Sequence, residues 1–314
     1  MVAGCPRSGS TILAKVLALS PRVGYVEEPF NYQTGMIGSD DRFFPYIYRG
    51  SEYQAKYDQL LDDILRGQAH YKENVLQPPT SNPLRLAYRH FLTNRYQIRY
   101  WLDTHDPRVK LLALKDPTAS LSVEHFLHHP SLSAIFTLRH PCAVVASHIR
   151  LGWGSPLGQI LEDKALATRF SDNVRNAQIS NQEPIVALAW YWRAVNEIVL
   201  QVLENNSRLP LITHEHFSRH PQAVTRQLYQ LYNIPFTPHI ARQLSELTGV
   251  ENPTDPTGNN IHVLKRNSRE NIDRWRKLLT KSEQTKILDI CDSLYNQMLE
   301  LKNIVSGDQP SRAD

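Results

Sequence analysis

The stretch that decides the fold is MVAGCPRSGSTILAKVLAL, residues 1–19. Its first five residues form a short apolar run typical of a buried strand, and Pro6 ends that strand because proline has no N–H for a sheet ladder. From Ile12 onward the apolar residues follow helical spacing. A strand, a glycine-containing loop and a helix thus follow one another, and the free amides at such a helix N-terminus bind anions.

The loop nearly matches the Walker A pattern G-x-x-x-x-G-K-[ST] of nucleotide-binding proteins. Gly4, Gly9 and Thr11 fit the pattern, but Ser10 stands at the lysine position and the cation comes earlier, at Arg7. The Walker lysine bridges the β- and γ-phosphates of a nucleotide beside a magnesium ion. Its absence argues against ATP or GTP hydrolysis and favours a ligand with a single phosphate or phosphosulfate in the loop. The alternative is a plain turn rich in glycine and serine.

Composition places the chain among ordinary globular proteins, since 41% of its 314 residues are hydrophobic and 21% are charged. The formal net charge of +4 is too small and too dispersed to indicate nucleic-acid binding, although it suits an enzyme with an anionic cofactor. The three cysteines lie far apart and form neither a metal motif nor a disulfide framework, which favours a reducing, cytoplasmic compartment. We expect no signal peptide and no membrane segment in this chain.

Strands and helices alternate along the rest of the chain. After the first strand, further strands are predicted at 23–26, 109–114, 134–138 and 209–213. Helices are predicted at 53–66, 84–102, 120–128, 142–150, 158–181, 184–204 and 281–302. The strands are unbroken apolar runs, which is typical of a parallel sheet covered by helices on both faces. We therefore predict one α/β domain of the P-loop type over 1–305, with helical insertions, and a disordered tail over 306–314.

Charged side chains stand at the ends of four predicted strands, namely Arg7, Glu28, Lys115 and Arg139. Ligands of parallel α/β sheets bind beyond the carboxyl ends of the strands, so we expect these side chains to converge on one crevice. Ser147 lies two helical turns beyond Arg139, and the two form a second candidate anion site. A surface salt bridge and a packed helix serine are the alternatives. Two anion sites in one crevice favour a nucleotide with phosphates at both ends.

Glu28 has two interpretations. A carboxylate beside a cationic crevice can take a proton from an attacking hydroxyl group. It can also pair with Arg7 or Lys115 and serve only the structure. His105 is a rival base, but its surroundings, Asp-Thr-His-Asp-Pro at 103–107, are typical of a surface turn, so we prefer Glu28.

Two of these segments resemble the nucleotide-binding motifs of sulfotransferases. Residues 5–11, CPRSGST, resemble the family's 5′-phosphosulfate loop. Residues 139–147, RHPCAVVAS, resemble its 3′-phosphate motif, with arginine and serine at the family spacing.

Four further segments extend the resemblance in the family order over nearly the whole chain. Residues 26–29 (VEEP) and 115–117 (KDP) are similar to segments of the Golgi-type and tyrosylprotein sulfotransferases. Residues 211–221 (LITHEHFSRHP) resemble a strand of the same branch that is followed by Tyr-Glu-Asp-Leu and a proline. Residues 265–275 resemble the late loop that closes over the nucleotide.

The resemblance implies transfer of a sulfuryl group from 3′-phosphoadenosine-5′-phosphosulfate (PAPS) to a hydroxyl or amine, without a metal. It implies a 5′-phosphosulfate site made by the loop residues Arg7, Ser8, Gly9, Ser10 and Thr11. It implies a 3′-phosphate site at Arg139 and Ser147, and a closing loop that contributes Lys265, Arg266 and Asn271. Glu28 becomes the general base, and Arg7 and Lys115 become the residues that stabilise charge during the transfer.

The chain departs from the family at a few positions. The cytosolic sulfotransferases have lysine where this chain has Arg7, and they use a histidine base where this branch uses glutamate. His214 stands where the family usually has a tyrosine near the adenine. The resemblance to the Golgi-type branch adds a second localisation, a Golgi-lumenal catalytic domain without its anchor.

Two other functions stay open at this point, a P-loop kinase or phosphotransferase that uses ATP and magnesium, and an inactive binding protein that keeps the fold. The acceptor is equally open among a polysaccharide, a tyrosyl peptide, a lipid-linked sugar and a small metabolite. The segments 30–50 and 150–182 are candidates for the loops that cover the acceptor, because loops outside a scaffold set specificity. The aromatic cluster at 190–193 is interpreted mainly as core packing.

Overall fold

A computed structural model describes residues 1–39, 42–72, 95–177, 183–206, 209–249, 251–253 and 267–301 of the chain. Its five strands are β1 Val2–Gly4, β2 Val23–Glu27, β3 Leu111–Lys115, β4 Ile135–Leu138 and β5 Leu211–Thr213. All described strand pairs are parallel, and the order in the sheet is β2-β3-β1-β4-β5. The chain therefore passes from one side of β1 to the other between β3 and β4, which is where parallel sheets form their ligand crevice.

The helices in the first half of the described chain are α1 Ser10–Leu17, α2 Gln54–Leu65, α3 Arg95–His105, α4 Val123–Leu127 and α5 Pro141–Arg150, with a 3₁₀ turn over Thr118–Ser122 before α4. Those that follow are α6 Leu157–Glu162, α7 Lys164–Ala167, α8 Asp172–Asn176, α9 Pro184–Asn205, α10 His214–Arg219, α11 Pro221–Leu231, α12 Pro238–Thr248, α13 Trp275–Leu278 and α14 Lys281–Glu300.

Helices cover both faces of the sheet, as the apolar strand runs predicted. In β1, Val2 packs into the layer formed with α1 and α11, whereas the next residue, Ala3, packs into the layer formed with α5 and α9. In β4, Ile135 and Phe136 divide between the same two layers. Successive residues of a strand point to opposite faces, so strands with two buried faces must be apolar throughout. The predicted α/β class, with a central parallel sheet between helices, is confirmed.

The region predicted as helix over 158–181 is described as far as residue 177, and that part is divided into the short helices α6, α7 and α8. Asp163 ends α6 in an extended conformation and its side chain accepts a hydrogen bond from the amide of Leu166, at 3.0 Å, which starts α7. Ser171 takes an extended conformation before α8. A short polar side chain that bonds a nearby amide competes with helix continuation, which explains the break at Asp163. At Ser171, the amide and the hydroxyl instead donate to the carboxylate of Glu197 in α9.

Other predictions fall partly or wholly outside the described residues. The helix expected at 84–102 is described from Arg95 and runs to His105. Lys265, Arg266 and the tail expected at 306–314 lie outside the described residues. Within the described chain, none of the helices is both long enough and apolar enough to cross a membrane.

Candidate functional site

A cavity of about 910 Å³ lies beyond the carboxyl ends of the strands. Its wall includes Arg7, Glu28, Lys115 and Arg139, so the four strand-end side chains meet as the topology argument predicted. The wall also includes most of the other sequence-predicted site residues, which are Gly9, Ser10, Thr11, Ser147, His214 and Asn271. His105 lies elsewhere, exposed at the end of α3, where its ring stacks on Trp101. The surface interpretation of His105 therefore holds.

The loop between β1 and α1 is shaped by two residues with positive φ, Arg7 at 74° and Gly9 at 101°. A Cβ atom on Gly9 would lie 2.7 Å from Cδ2 of His214, so only glycine fits between the loop and the residue that begins α10. Gly9 directly precedes α1, whose first turn carries no acidic residue. The first amides of a helix lack intrahelical partners and carry partial positive charge. The loop therefore suits an anionic group.

Ser8 is the loop residue that the structure places apart from the others. Its side chain is buried and lies 2.6 Å from Oγ1 of Thr137 in β4, while its amide donates to the carbonyl of Cys5 at 2.9 Å. Gly4 fits the same crowded place, since a Cβ there would lie 2.1 Å from Oγ1 of Thr137. Ser8 thus ties the loop to β4 through its side chain.

The two predicted anion sites are joined by direct hydrogen bonds. Nε of Arg7 donates to Oγ of Ser147 at 3.0 Å, and Nη1 of Arg139 donates to the carbonyl oxygen of Arg7 at 3.0 Å. The indole of Trp192 in turn donates to the carbonyl of Arg139 at 3.1 Å. We call the region formed by Arg7, Gly9, Ser10, Thr11, Arg139, Ser147 and His214 the anion end of the cavity. Its two halves form one continuous surface.

His140 connects the anion end with the C-terminal part of the chain. Its imidazole stacks on Trp275 of α13 with ring centres 4.4 Å apart, and its amide donates to Oε1 of Glu215 at 3.0 Å. Burial, reinforced by the nearby Arg276 charge, lowers the pKa of His140 to about 4. The His140 ring is therefore uncharged at neutral pH, and the positive charge next to it is that of the Arg139 guanidinium. The stack also carries Trp275 to the cavity wall, near Asn271 of the predicted closing loop.

The part of the cavity beyond β2 and β3 contains Lys115, whose side chain is buried between two consecutive carboxylates. Its Nζ atom lies 3.0 Å from Oε1 of Glu27 and hydrogen-bonds Oε1 of Glu28. Burial alone would lower the pKa of Lys115, but the Glu28 and Glu27 carboxylates outweigh it and raise that pKa above its usual value. Oε2 of Glu28 accepts a hydrogen bond from Asn31 at 2.8 Å. We call Glu27, Glu28, Asn31 and Lys115 the carboxylate end.

The carboxylate end is fixed by Asp116, a fully buried residue. Its carboxylate accepts hydrogen bonds from the amide of Phe30 at 2.7 Å and from the hydroxyl of Thr118 at 2.6 Å. It thereby joins the segment after β2 to the segment after β3. Burial, with the nearby Glu28 charge, raises the pKa of Asp116 to about 6. Glu28 itself has φ of 40°, held by its amide donating to the carbonyl of Lys115 at 2.7 Å.

Sequence reasoning did not single out Asn31 or Trp153, which both line the cavity. Oδ1 of Asn31 accepts from the amides of Gln33 and Thr34 at 2.9 and 3.1 Å, a local turn that aims its amide group at Glu28. The indole of Trp153 lies 5.7 Å from the guanidinium carbon of Arg7. The sequence held one signal for each residue. Asn31 is a short polar residue soon after Pro29, and Trp153 is flanked by glycines in a segment expected to cover the acceptor.

The segments expected to cover the acceptor do contribute to the wall. The first supplies Asn31, Tyr32, Gln33, Thr34 and Phe43, and the second supplies Arg150, Gly152, Trp153, Gly154, Ser155, Pro156 and Gln159. From the aromatic cluster at 190–193, Tyr191 lines the cavity from a buried position and Trp192 is buried in the core. Core packing is therefore the main role of the two central residues of that cluster, with Tyr191 also at the wall.

Charge on the described wall of the cavity is strongly positive. The wall has one carboxylate, Glu28, and five cationic side chains, which are Arg7, Lys115, Arg139, Arg150 and Arg274. Within the described residues, no group of three or more histidine, cysteine, aspartate or glutamate side chains is arranged to hold a metal ion. The cavity therefore suits a polyanionic ligand bound by arginine, lysine and backbone amides.

Comparison with known proteins gave a family match and several similar solved structures, two of which are described here. The model of a family described as the sulfotransferase family matches residues 1–238. A sulfotransferase domain from the olefin synthase of Synechococcus PCC 7002 is similar, with 18% identity, a TM-score of 0.46, and coverage of 93% of this chain and 92% of that one. The sulfotransferase STF9 from Mycobacterium avium is similar at 17% identity and a TM-score of 0.41, over 93% of this chain and 75% of that one. A comparison with curated proteins gave no significant match.

Proposed function

This chain belongs to the sulfotransferase family, and on that premise we propose that it transfers a sulfuryl group from PAPS to an acceptor hydroxyl group. The observation that carries the proposal is the arrangement of one cavity: two contiguous sites for anions at one end and a glutamate paired with a buried lysine at the other. Membership of the family implies a sulfuryl donor. The finer statements, which concern PAPS itself and the role of each residue, are ours.

The anion end suits a donor with a phosphosulfate and a separate 3′-phosphate. Backbone amides of the loop, with Ser10 and Thr11, would hold the 5′-phosphosulfate. Arg139 and Ser147 would hold the 3′-phosphate, and Arg7 would contact both groups because it already lies between the two sites. His214 would lie near the adenine, and Asn271 would cover the nucleotide together with Lys265 and Arg266. When bound, the donor supplies a sulfuryl group attached to a phosphate leaving group.

Glu28 would accept the proton that the acceptor hydroxyl loses as its oxygen becomes the nucleophile. A general base of this kind contributes roughly 10²- to 10⁴-fold to a rate. Lys115 and Arg7 would supply positive charge where negative charge develops on the leaving oxygen, which is the main way that proteins lower barriers of this type. Once Glu28 holds the proton, Glu27 still faces Lys115 at 3.0 Å, so the buried ammonium keeps a counter-charge throughout.

Calorimetric binding of adenosine 3′,5′-bisphosphate and of ATP, each with magnesium and with a chelator, tests the proposal. We expect tight binding of the bisphosphate that does not change when magnesium is removed, because arginines, lysines and amides hold it. Adenosine 5′-monophosphate serves as the matched ligand that lacks the 3′-phosphate, and we expect it to bind more weakly. Magnesium-dependent binding of ATP without preference for a 3′-phosphate would overturn the proposal in favour of a kinase.

A further inference from the structure

A continuous series of aromatic rings connects the carboxylate end of the cavity with the anion end. From Tyr32 the ring centres are separated by 5.5 Å to Phe43, 4.9 Å to Phe44 and 5.9 Å to Tyr191. The series continues from Tyr191 to His148 at 5.8 Å and from there to Trp153 at 5.7 Å. We call Tyr32, Phe43, Phe44, Tyr191, His148 and Trp153 the aromatic wall. Five of the six line the cavity, and Phe44 is buried behind them.

Two titratable members of the aromatic wall, His148 and Tyr191, are held in their uncharged forms by burial. Burial lowers the pKa of His148 to about 4, and its Nδ1 atom hydrogen-bonds the carbonyl of Val144 at 3.0 Å. Burial raises the pKa of the Tyr191 hydroxyl well above its usual value. The phosphate-binding cations of the cavity thus lie at one end of a neutral, ring-lined surface. Such a surface favours flat apolar groups, which stack on aromatic rings.

The position of the wall relates it to the acceptor. Tyr32 follows closely after Glu28 along the chain and shares the local turn in which Asn31 donates to Glu28. At its other end, Trp153 lies over Arg7, which we assign to the donor. A group stacked along the wall would therefore lie between the proposed base and the proposed donor site. The full cavity, at about 910 Å³, is near the upper limit of the roughly 300–1,000 Å³ found for small-molecule sites, and the nucleotide takes a share of it.

We propose that the acceptor is a small molecule whose hydroxyl group is carried on an aromatic ring system, and that the aromatic wall binds this ring while the hydroxyl group faces Glu28. The inference rests on the proposed function, since it names the acceptor class of the same site. Tyr32 and Phe43 are then specificity-determining residues. Their contacts would distinguish an aromatic acceptor from a saturated ring of equal size and from a sugar.

A matched pair of alcohols tests this inference. Binding of 2-naphthol and of decahydro-2-naphthol, which have the same carbon skeleton and hydroxyl position, is measured by calorimetry with adenosine 3′,5′-bisphosphate at saturation and without it. Methyl β-glucoside represents the sugars. We expect 2-naphthol to bind at least 10-fold more tightly than either of the others, and PAPS-dependent formation of 2-naphthyl sulfate to follow the same order.

Two variants test whether the preference for 2-naphthol depends on the aromatic wall. Phe43→Leu should weaken 2-naphthol binding by roughly 2- to 10-fold, the effect of losing one ring–ring contact, and leave the affinity for the bisphosphate unchanged. Trp101→Leu makes the same kind of change on the exposed face of α3 and should change neither affinity. Equal binding of the three alcohols, or no effect of Phe43→Leu, would overturn the acceptor assignment while bisphosphate binding still supported the sulfotransferase proposal. Failure of the bisphosphate to bind would instead overturn the proposed function.

Discussion

The two ends of the cavity hold their charged side chains in different ways. At the anion end, the hydrogen bonds that position Arg7 and Arg139 reach a hydroxyl and a carbonyl oxygen, and these bonds leave the guanidinium charges in place. At the carboxylate end, Lys115 is buried between Glu27 and Glu28, so its charge is already paired inside the protein. The described hydrogen bonds at the anion end thus reach neutral groups, whereas those at the carboxylate end join opposite charges.

This difference predicts that substitutions at the two ends affect different measurements. Changes at the anion end should lower nucleotide affinity, because we propose that the phosphate groups bind there. Changes at the carboxylate end should lower turnover with little effect on nucleotide affinity. Each experiment below either separates these two effects or shows that the ends act as one unit.

Glu28→Gln should give the largest effect, a loss of roughly 10²- to 10⁴-fold in turnover with nearly unchanged affinity for adenosine 3′,5′-bisphosphate. The amide keeps the size of the side chain but cannot accept the acceptor's proton. Glu27→Gln is the matched control one residue earlier, and its loss of turnover should be far smaller. If Glu28→Gln lowered affinity and turnover equally, Glu28 would have a structural role only.

Arg139→Ala should weaken binding of the bisphosphate by roughly 10- to 100-fold, since a hydrogen bond to a charged group is worth about 1.5–3 kcal/mol. Binding of adenosine 5′-monophosphate, which lacks the 3′-phosphate, should change much less. Arg66→Ala, at an exposed arginine paired with Asp62, controls for the loss of a positive charge. An equal loss for both nucleotides would place the second anion site elsewhere.

Gly9→Ala should weaken bisphosphate binding by about 10-fold for two reasons. The added Cβ atom would clash with the His214 ring, and alanine is strained at the positive φ of this position. Gly50→Ala separates the two causes: Gly50 has φ of 88° and open space around its Cβ position. Both variants should lose about 1 kcal/mol of stability from the backbone in urea denaturation. Only Gly9→Ala should lose nucleotide affinity.

The smallest expected effect is on the pH dependence of stability. It distinguishes His140, which is buried next to the anion end, from Asp116, which is buried next to the carboxylate end. Because the pKa of folded His140 is about 4, below its ordinary value of 6.5, the unfolded chain binds the extra proton between these values, and stability falls as the pH falls. The pKa of folded Asp116 is about 6, above its ordinary value of 3.8, so stability rises as the pH falls through that range. The two ends thus respond to acid in opposite directions.

His140→Phe, which keeps a ring against Trp275, should reduce the loss of stability between pH 7 and pH 5.5 by about 1 kcal/mol. Asp116→Asn should increase that loss. Urea denaturation at pH 7 and at pH 5.5 gives the free energy of unfolding of each protein. The difference between the two pH values is then compared among the variants and the unchanged protein. The same slope for all three proteins would show that neither residue contributes to the pH dependence.

Much of the architecture could be predicted from local sequence. The apolar strand runs and the charged residue at each strand end were sufficient to place Arg7, Glu28, Lys115 and Arg139 around one crevice, because parallel strands all end at the same edge. What local sequence could not provide was the pairing between side chains. The position of Lys115 between two glutamates depends on the register of β2 against β3, where Glu27 lies opposite Lys115.

The aromatic wall depended on tertiary structure, because it assembles rings from three distant segments that no spacing along the chain could show. Asn31 instead reaches Glu28 through a local turn, and its signal in the sequence was a short polar side chain soon after Pro29. Conversely, the breaks within 158–181 had local signals, since Asp163 and Ser171 are typical residues before a helix. The sequence analysis followed the helical spacing of the apolar residues and therefore predicted an unbroken helix despite these two residues.

The tryptophans of this chain provide an optical probe of the anion end. Of the five tryptophans in the sequence, Trp192 donates to the carbonyl of Arg139, Trp275 stacks on His140, and Trp153 lies over Arg7. Each indole is thus in contact with a residue at or next to the proposed phosphate sites. A nucleotide that enters there changes the electric field and solvation around three emitting groups at once, so the intrinsic emission of the unlabelled protein should report on occupancy of this end of the cavity.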